Sequence, residues 1–489
     1  MTVRFFYDAP QRWWPEIDYA LAVLLEGVGY RGERVMSADA AHVAYTPTRP
    51  AGLPEQAVWI AADAIDDWNS GGFQVARTFD VPCFFQRRTP AASDPAGQSI
   101  AADIVYSTYL LTAGVAEDGA PRDACGSLLA EGWQLQSAGV LDVPCVAHYC
   151  ARLRERLERG FPALLAPVPV WPEGKQYAIV LSHDVDCPFG PMSPRQVVQQ
   201  WAESWRHGVG ETFRNCARLA RSLAQLPGST LCPQRDPNFG FARWMEVERG
   251  LGTRSAFYVA TEQNSDLQGH PHDVSYDVRS KVMRRALSRA VAAGWEIGLH
   301  ASINARLSPE RIAQQVQRLE RALPGCRVRG CRHHYWALDS EYPERTLRDQ
   351  AAAGLEYDTS LGLNDAAGYR RGMCWPFTPY DRHGREPLPL LEIPPTLMDG
   401  AIFGPPGTSE RGRRQLQVHL STTFAAGGAA VLDWHVEQAN PRRLGGAGPA
   451  LVEALMELAK DERVYWASPA QIADWWVRRR KRIAVGERS

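Results

Sequence analysis

Carboxylates, imidazoles and one guanidinium recur in this sequence at one kind of place, the last residues of short apolar runs. Five stretches show it: Ser182-His183-Asp184-Val185-Asp186, Gly298-Leu299-His300-Ala301-Ser302, Arg332-His333-His334-Tyr335, Tyr357-Asp358-Thr359-Ser360 and Asp433-Trp434-His435. Positioned carboxylates and imidazoles accept and donate protons near neutral pH. A carboxylate grouped with imidazoles is also an ordinary donor set for zinc or a related divalent metal. Taken singly, each group has a plain structural use. An Asp-x-Asp caps turns and helices, His300 could be a hydrogen-bonded core residue, and Arg332 could pair with a surface acid. Asp358 could cap the next element, and His435 could bond Asp433 or a backbone group. Their recurrence on five separate runs points to one shared, chemically active mouth, provided the fold gathers the ends of those runs.

The surrounding pattern predicts such a fold. Apolar runs at Ala178–Asp184, Ser255–Ala260, Glu296–His300, Val328–His334, Leu355–Thr359, Leu390–Leu397, Ala429–His435 and Val464–Ala467 read as strands. Ser308 before Pro309 starts a helix, with Ile312, Val316, Leu319 and Leu323 at helical spacing. Lys281–Gly294 reads as another, with Gly294 just past its end. Strands alternating with helices over about 300 residues predict a parallel (β/α) barrel of about seven or eight strands, whose C-terminal strand ends meet at one face.

Residues 1–165 read as a smaller α/β N-terminal domain of unknown role, without a chemical motif. They hold short apolar runs such as Ala57–Ile60 and Asp103–Tyr106, and a helix over Ala151–Arg159 that Gly160 ends. Phe161–Pro172 carries four prolines in twelve residues, cannot be helical, and reads as the connection to a barrel domain over 173–478. Residues 479–489 read as a basic tail; the run Arg478–Arg482 suits an anionic surface or the end of a frayed helix.

The chain has 489 residues, with 54 Lys and Arg against 55 Asp and Glu, so no net basic character marks a nucleic-acid partner. Hydrophobic residues at 45% and charged ones at 22% exclude disordered and fibrous classes. No apolar run reaches the ~18 residues of a membrane span, and Asp8 interrupts the N-terminus before an export-signal core forms. Ten cysteines are scattered without a Cys-x-x-Cys, and Cys326 and Cys331 lack a second thiol pair. Reduced thiols in a cytoplasmic protein are the expectation.

In their order and spacing the five stretches resemble the motifs of the polysaccharide deacetylase family, metal-dependent carbohydrate esterases built on a distorted (β/α) barrel. The resemblance covers roughly residues 175–475, and the preceding part looks like the N-terminal domain that accompanies one bacterial branch. It implies that Asp184 is the base, that Asp186 and His300 bind a metal, and that Arg332 orients Asp184. It further implies that a backbone N–H near Tyr335 helps hold an oxyanion and that His435 supplies a general acid, with Asp358 in the fourth motif of the catalytic set. The implied cofactor is a divalent metal, zinc by the donor types, and the implied partner is an N-acetylated glycan or activated sugar.

One position departs from the family. Its second motif carries another ligand His four residues after the first; here that position is Asn304, which offers only a neutral carbonyl oxygen. The candidates for a third donor are Asn304, His333, His334, His270 and His272. His333 and His334 are adjacent on a strand and face opposite sides, and alternation from Arg332 puts His334 on the same face as Arg332. His334 is therefore the expected replacement ligand, with Asn304 as a weak or supporting contact. Tyr276 and Asp277 line either a sugar pocket or a solvated loop. Three readings follow: a deacetylase, a catalytically silent glycan-binding member of the fold, or a hydrolase of another C–N or ester bond.

Overall fold

The computed structural model describes residues 2–63, 65, 68, 73–78, 81–86, 97–164, 167–189, 236–263, 266–267, 270–271, 274, 276–404 and 409–486. His272 and the side chain of His270 lie outside the described residues. The chain opens with strands β1 Thr2–Tyr7, β2 Arg31–Arg34, β3 Val43–Thr46, β4 Val58–Ala61 and β5 Ser99–Ile100. They pair in parallel in the order β2-β1-β3-β4-β5. Helix α1, Trp14–Val28, has Pro15 in its first turn and closes on Gly29 at φ 101°, a left-handed conformation that a side chain resists. Helix α2, Ile104–Thr112, starts where Asp103 accepts the Tyr106 N–H. Helix α3 runs over Cys145–Gly160.

The second sheet is the expected barrel. Its strands are β6 Tyr177–Val185, β7 Ala256–Val259, β8 Glu296–Ala301, β9 Gly330–His333, β10 Tyr357–Asp358, β11 Leu391–Glu392, β12 Leu397–Met398, β13 Ala429–Asp433 and β14 Val464–Ala467. They lie in the order β11-β10-β9-β8-β7-β6-β13-β12, with β14 beside the first half of β6, and every pairing is parallel. All eight expected strands are present. The run Leu390–Leu397 appears as two short pieces because Pro394 and Pro395, between them, have no N–H to give a ladder. The segment pairs with β10 at its start and with β13 at its end, so it joins the two edges of the curled sheet and makes the barrel distorted. Helices α4 Phe241–Gly250, α5 Lys281–Ala292, α6 Pro309–Ala322, α7 Pro343–Ala352, α8 Ser409–Ala425, α9 Ala447–Leu458 and α10 Pro469–Val485 complete the α/β alternation. Ser308 caps α6 by accepting the Arg311 N–H, and Ser468 forms a capping box with Gln471 at α10.

One apolar core runs through both parts of the chain. Helix α1 meets the barrel: the Trp476 indole donates to Glu26 Oε1 at 2.6 Å, and Tyr19 Oη donates to the Thr378 carbonyl at 2.9 Å. Trp171, in the proline-rich connection, is buried and donates to the Gly427 carbonyl. Residues 479–485 continue α10 rather than forming a tail. Arg479 is fully buried and donates to the Pro169 and Val168 carbonyls, because the helix tucks under that connection. Among the described residues no helix is long and apolar enough to cross a membrane, and the eight described cysteines form no disulfide.

Candidate active site

The C-terminal ends of the barrel strands converge as the sequence requires. Asp184 lies on β6 and Asp186 just beyond it, two residues apart and so on one side of the strand. Asp184 is buried, and Arg332 Nη1, reaching from β9, donates to its Oδ1 at 2.9 Å. The same nitrogen lies 2.9 Å from Asp433 Oδ1 at the end of β13. Arg332 Nε donates to the carbonyl and hydroxyl of Thr359, at 3.1 and 2.9 Å, and its guanidinium sits 4.5 Å over the ring of Tyr258. That ring needs Gly298, since a Cβ there would come within 2.5 Å of it. Burial resists ionisation of Asp184, but Arg332, His300 and His435 outweigh it and hold its pKa below the usual carboxylate range. At Asp433 burial prevails, with Asp184 adding to it, and the carboxyl is pushed well above that range. Arg332 therefore faces two carboxyl groups whose pKa values are displaced in opposite directions.

Three donors gather around Asp186. His300, near the end of β8, directs Nδ1 at the Arg332 carbonyl, 3.0 Å away, which turns Nε2 towards Asp186 Oδ1 at 3.2 Å. His334 stands in the turn His334–Trp336 after β9, with Nε2 3.4 Å from Asp186 Oδ2. Donor atoms of Asp186, His300 and His334 all lie within 4.8 Å of one another. His300 Nε2 and Asp186 Oδ1 are buried and, although close, make no aligned hydrogen bond. Two such lone pairs directed at one locus suit a bound cation, and one carboxylate with two imidazoles is a normal divalent-metal set. Burial works against the Asp186 anion, yet His334, His300 and His435 keep its pKa well below the usual range.

His435 follows β13 and flanks the same carboxylate from another side, with Nε2 3.3 Å from Asp186 Oδ2. Its Nδ1 lies 2.9 Å from Asp399 Oδ1, and its backbone N–H donates to Asp399 Oδ2 at 2.7 Å. Burial opposes an imidazolium here, but Asp399 and Asp186 overcome it and raise the pKa well above the ordinary imidazole value. Sequence reasoning missed Asp399. It starts the short helix Asp399–Phe403 directly after β12, so the search for polar strand ends, carried two residues past the run Leu390–Leu397, would have found it.

The remaining expected residues fall in different places. His333 is fully buried; its N–H donates to Ser360 Oγ, and burial pushes its ring down to about 3. Asp358 is buried and accepts from Gln350 Nε2, the Ser360 N–H and Ser360 Oγ. It lies beside Glu392, and burial raises the pKa of both. In that motif it is Thr359 that touches Arg332. Tyr335 and Trp336 hold φ of 58° and 50°, a left-handed backbone that costs non-glycine residues roughly 1–3 kcal/mol each. The Tyr335 ring is exposed and stacks on His334 with centroids 4.1 Å apart. Tyr276 is buried, and its hydroxyl accepts the Ala260 N–H. Asn304, in the turn Ile303–Leu307, lines a polar cavity together with Asp277, which pairs with Arg279.

Fold and site thus define a parallel α/β barrel with an Asp-His-His cluster at its mouth, set between an arginine-held carboxylate and a carboxylate-backed imidazole. No protein-family model matches the chain, and no curated protein matches it. Similar solved structures include a protein named a putative polysaccharide deacetylase from Mycobacterium smegmatis, at 19% identity and a TM-score of 0.43, covering 63% of this chain and 93% of that one. A second, named a probable polysaccharide deacetylase from Pseudomonas aeruginosa, has 14% identity and a TM-score of 0.39, over 64% and 94% of the two chains. A third is a mutant of a CE4 family pseudoenzyme with restored enzymatic activity, at 12% identity and a TM-score of 0.27, over 49% and 64%.

Proposed function

We propose that the protein is a metal-dependent hydrolase that removes the acetyl group from an N-acetylated sugar or glycan. The observation that carries this reading is the placement of two groups around one donor cluster: Asp184 bonded to Arg332, which lowers its pKa, and His435 bonded to Asp399 and 3.3 Å from Asp186, which raise its pKa. Asp186, His300 and His334 would hold a divalent metal, zinc by their types. Such a cation supplies Lewis acidity, acidifying water and polarising the acyl oxygen. The other roles belong to side chains and backbone. Asp184, pinned by Arg332, accepts the proton of the attacking water. His435 gives its proton to the departing amine nitrogen, and Asp399 is the carboxylate that keeps it available. The backbone of the turn at Tyr335 would meet the developing oxyanion, and the exposed Tyr335 ring offers a face for a sugar.

A silent glycan-binding protein is the second reading, and Asn304 in place of an imidazole favours it. Metal analysis together with acetate release from N-acetylated and O-acetylated sugars separates the readings. Bound metal with acetate from the amides supports the deacetylase; acetate from the esters alone moves the activity to another bond. Sugar binding without metal or acetate leaves the silent binder.

A further inference from the structure

Two adjoining cavities lie beyond the ends of β7 and β8 and along helices α5 and α6. One of about 600 Å³ is walled by Thr261 and Glu262 beyond β7, Asn304 beyond β8, Asp277, and Arg311 and Arg318 of α6. The other, of about 500 Å³, shares Arg279 and Arg318 with it and adds Arg284 of α5 and Arg321 of α6. Five arginines thus face two carboxylates, a local excess of three positive charges in a chain whose net charge is −1. Both carboxylates already have partners. Glu262 Oε2 accepts from Ser302 Oγ at 3.0 Å and lies 3.8 Å from Arg311 Nη1, while its Oε1 lies 3.6 Å from Arg318 Nη1. Asp277 accepts from the backbone and guanidinium of Arg279. Arg318 also donates to the Thr261 carbonyl at 3.2 Å, which fixes its guanidinium in the shared wall. Arg284 pairs with no carboxylate among the described residues.

We infer that this arginine-lined pair of cavities binds the anionic oxygens of a charged N-acetylated sugar, either a phosphate or a uronate carboxylate. Rows of like charge repel unless something of opposite charge sits among them, and the guanidinium fork matches both oxyanions bidentately. The wall joins the donor cluster through one short stretch of chain. Ser302, which bonds Glu262, comes two residues after His300, and Asn304 comes four after it. Four residues span at most about 14 Å, so an anion held beside Asn304 is within reach of a sugar presented to Asp186, His300 and His334, or of its neighbour. The inference rests on the deacetylase reading for what the substrate is, and on the cavity alone for its charge.

The test is calorimetric titration of the full chain, at fixed ionic strength, with N-acetylglucosamine, N-acetylglucosamine 1-phosphate and a disaccharide of N-acetylglucosamine and glucuronate. One of the charged ligands should bind at least about 10-fold more tightly than the neutral sugar, the scale of one charge-assisted hydrogen bond. Which one does so identifies the anion. The double variant Arg284→Gln/Arg318→Gln should remove that advantage and leave the neutral sugar unaffected. If the double variant melts lower than the wild type, Arg284→Gln alone, at an exposed residue that pairs with no carboxylate among the described residues, makes the same comparison. Equal binding of all three ligands, or an advantage that survives both variants, overturns the inference. Acetate release is followed in parallel. Its absence from every ligand, with the arginine-dependent preference intact, sinks the deacetylase reading and leaves the anion site standing.

Discussion

Glu117→Gln is the perturbation that asks whether the N-terminal part and the barrel fold as one. Glu117 lies just beyond α2, yet its carboxylate takes Arg370 Nε and Nη2 at 2.9 Å each and Arg371 Nη2 at 3.2 Å. Arg371 also donates to Glu344 Oε1 at 3.1 Å, and all four side chains are buried. Burial opposes the Glu117 anion, but the two arginines lower its pKa from 4.5 to about 2. That depression corresponds to about 3 kcal/mol of stability, in line with the 3–5 kcal/mol cost of breaking a buried pair from one side. Because the folded pKa is the lower one, the contribution is complete above about 4.5 and fades as pH falls towards 2. Equilibrium urea denaturation at pH 7, followed by circular dichroism and by protease protection of the barrel, should show Glu117→Gln losing about 3 kcal/mol. Both probes should shift together, and the gap to wild type should narrow as pH falls below 4.5. A loss under about 1 kcal/mol, or unfolding of the N-terminal part with the barrel still protected, would refute the reasoning.

Three further outcomes are expected. Asp184→Asn should keep fold and metal content but lower turnover by two or more orders of magnitude; near-normal turnover with chemistry rate-limiting would remove Asp184 as the base. In metal titrations His334→Ala should weaken binding at least about 10-fold while His333→Ala binds normally, and loss of metal only in Asn304→Ala would contradict the donor set. Asp399→Asn removes the carboxylate that raises the His435 pKa, so the imidazole loses its proton at lower pH and the alkaline limb of the kcat–pH profile should move down. An unmoved limb would mean that Asp399 does not hold that proton.

The barrel was readable because its buried parallel strands are nearly continuous apolar runs that break into polar groups at one end. β6 and β13, buried along their whole length and carrying Asp184 and Asp433 at their ends, are the plainest cases, with β6 closing on Val185. His334 lies beside Asp186 and His333 in the interior, although β9 ends at His333 and His334 belongs to the turn after it, so strand alternation was not what set them apart. What stayed hidden were partners that no spacing encodes. Asp399 stands 36 residues before His435, beyond a double proline. Glu248, which holds His183 Nε2 at 2.7 Å, comes from a helix 65 residues away. Glu117 and Arg370 are 253 apart. Nor does composition tell a basic tail from the end of α10: Arg479 looks like its neighbours in sequence and differs only in facing the Val168 and Pro169 carbonyls.

Arg332 is fastened at both of its ends. Its carbonyl meets His300 Nδ1, and its guanidinium grips Asp184. One residue therefore sets the tautomer of an imidazole and the aim of a carboxylate together. One residue of β9 thus ties together groups carried by two other strands, β6 and β8. The same clamp makes position 332 unforgiving in an unusual way. Lysine there would keep a charge while surrendering the planar fork, leaving His300 correctly turned and Asp184 free to swing.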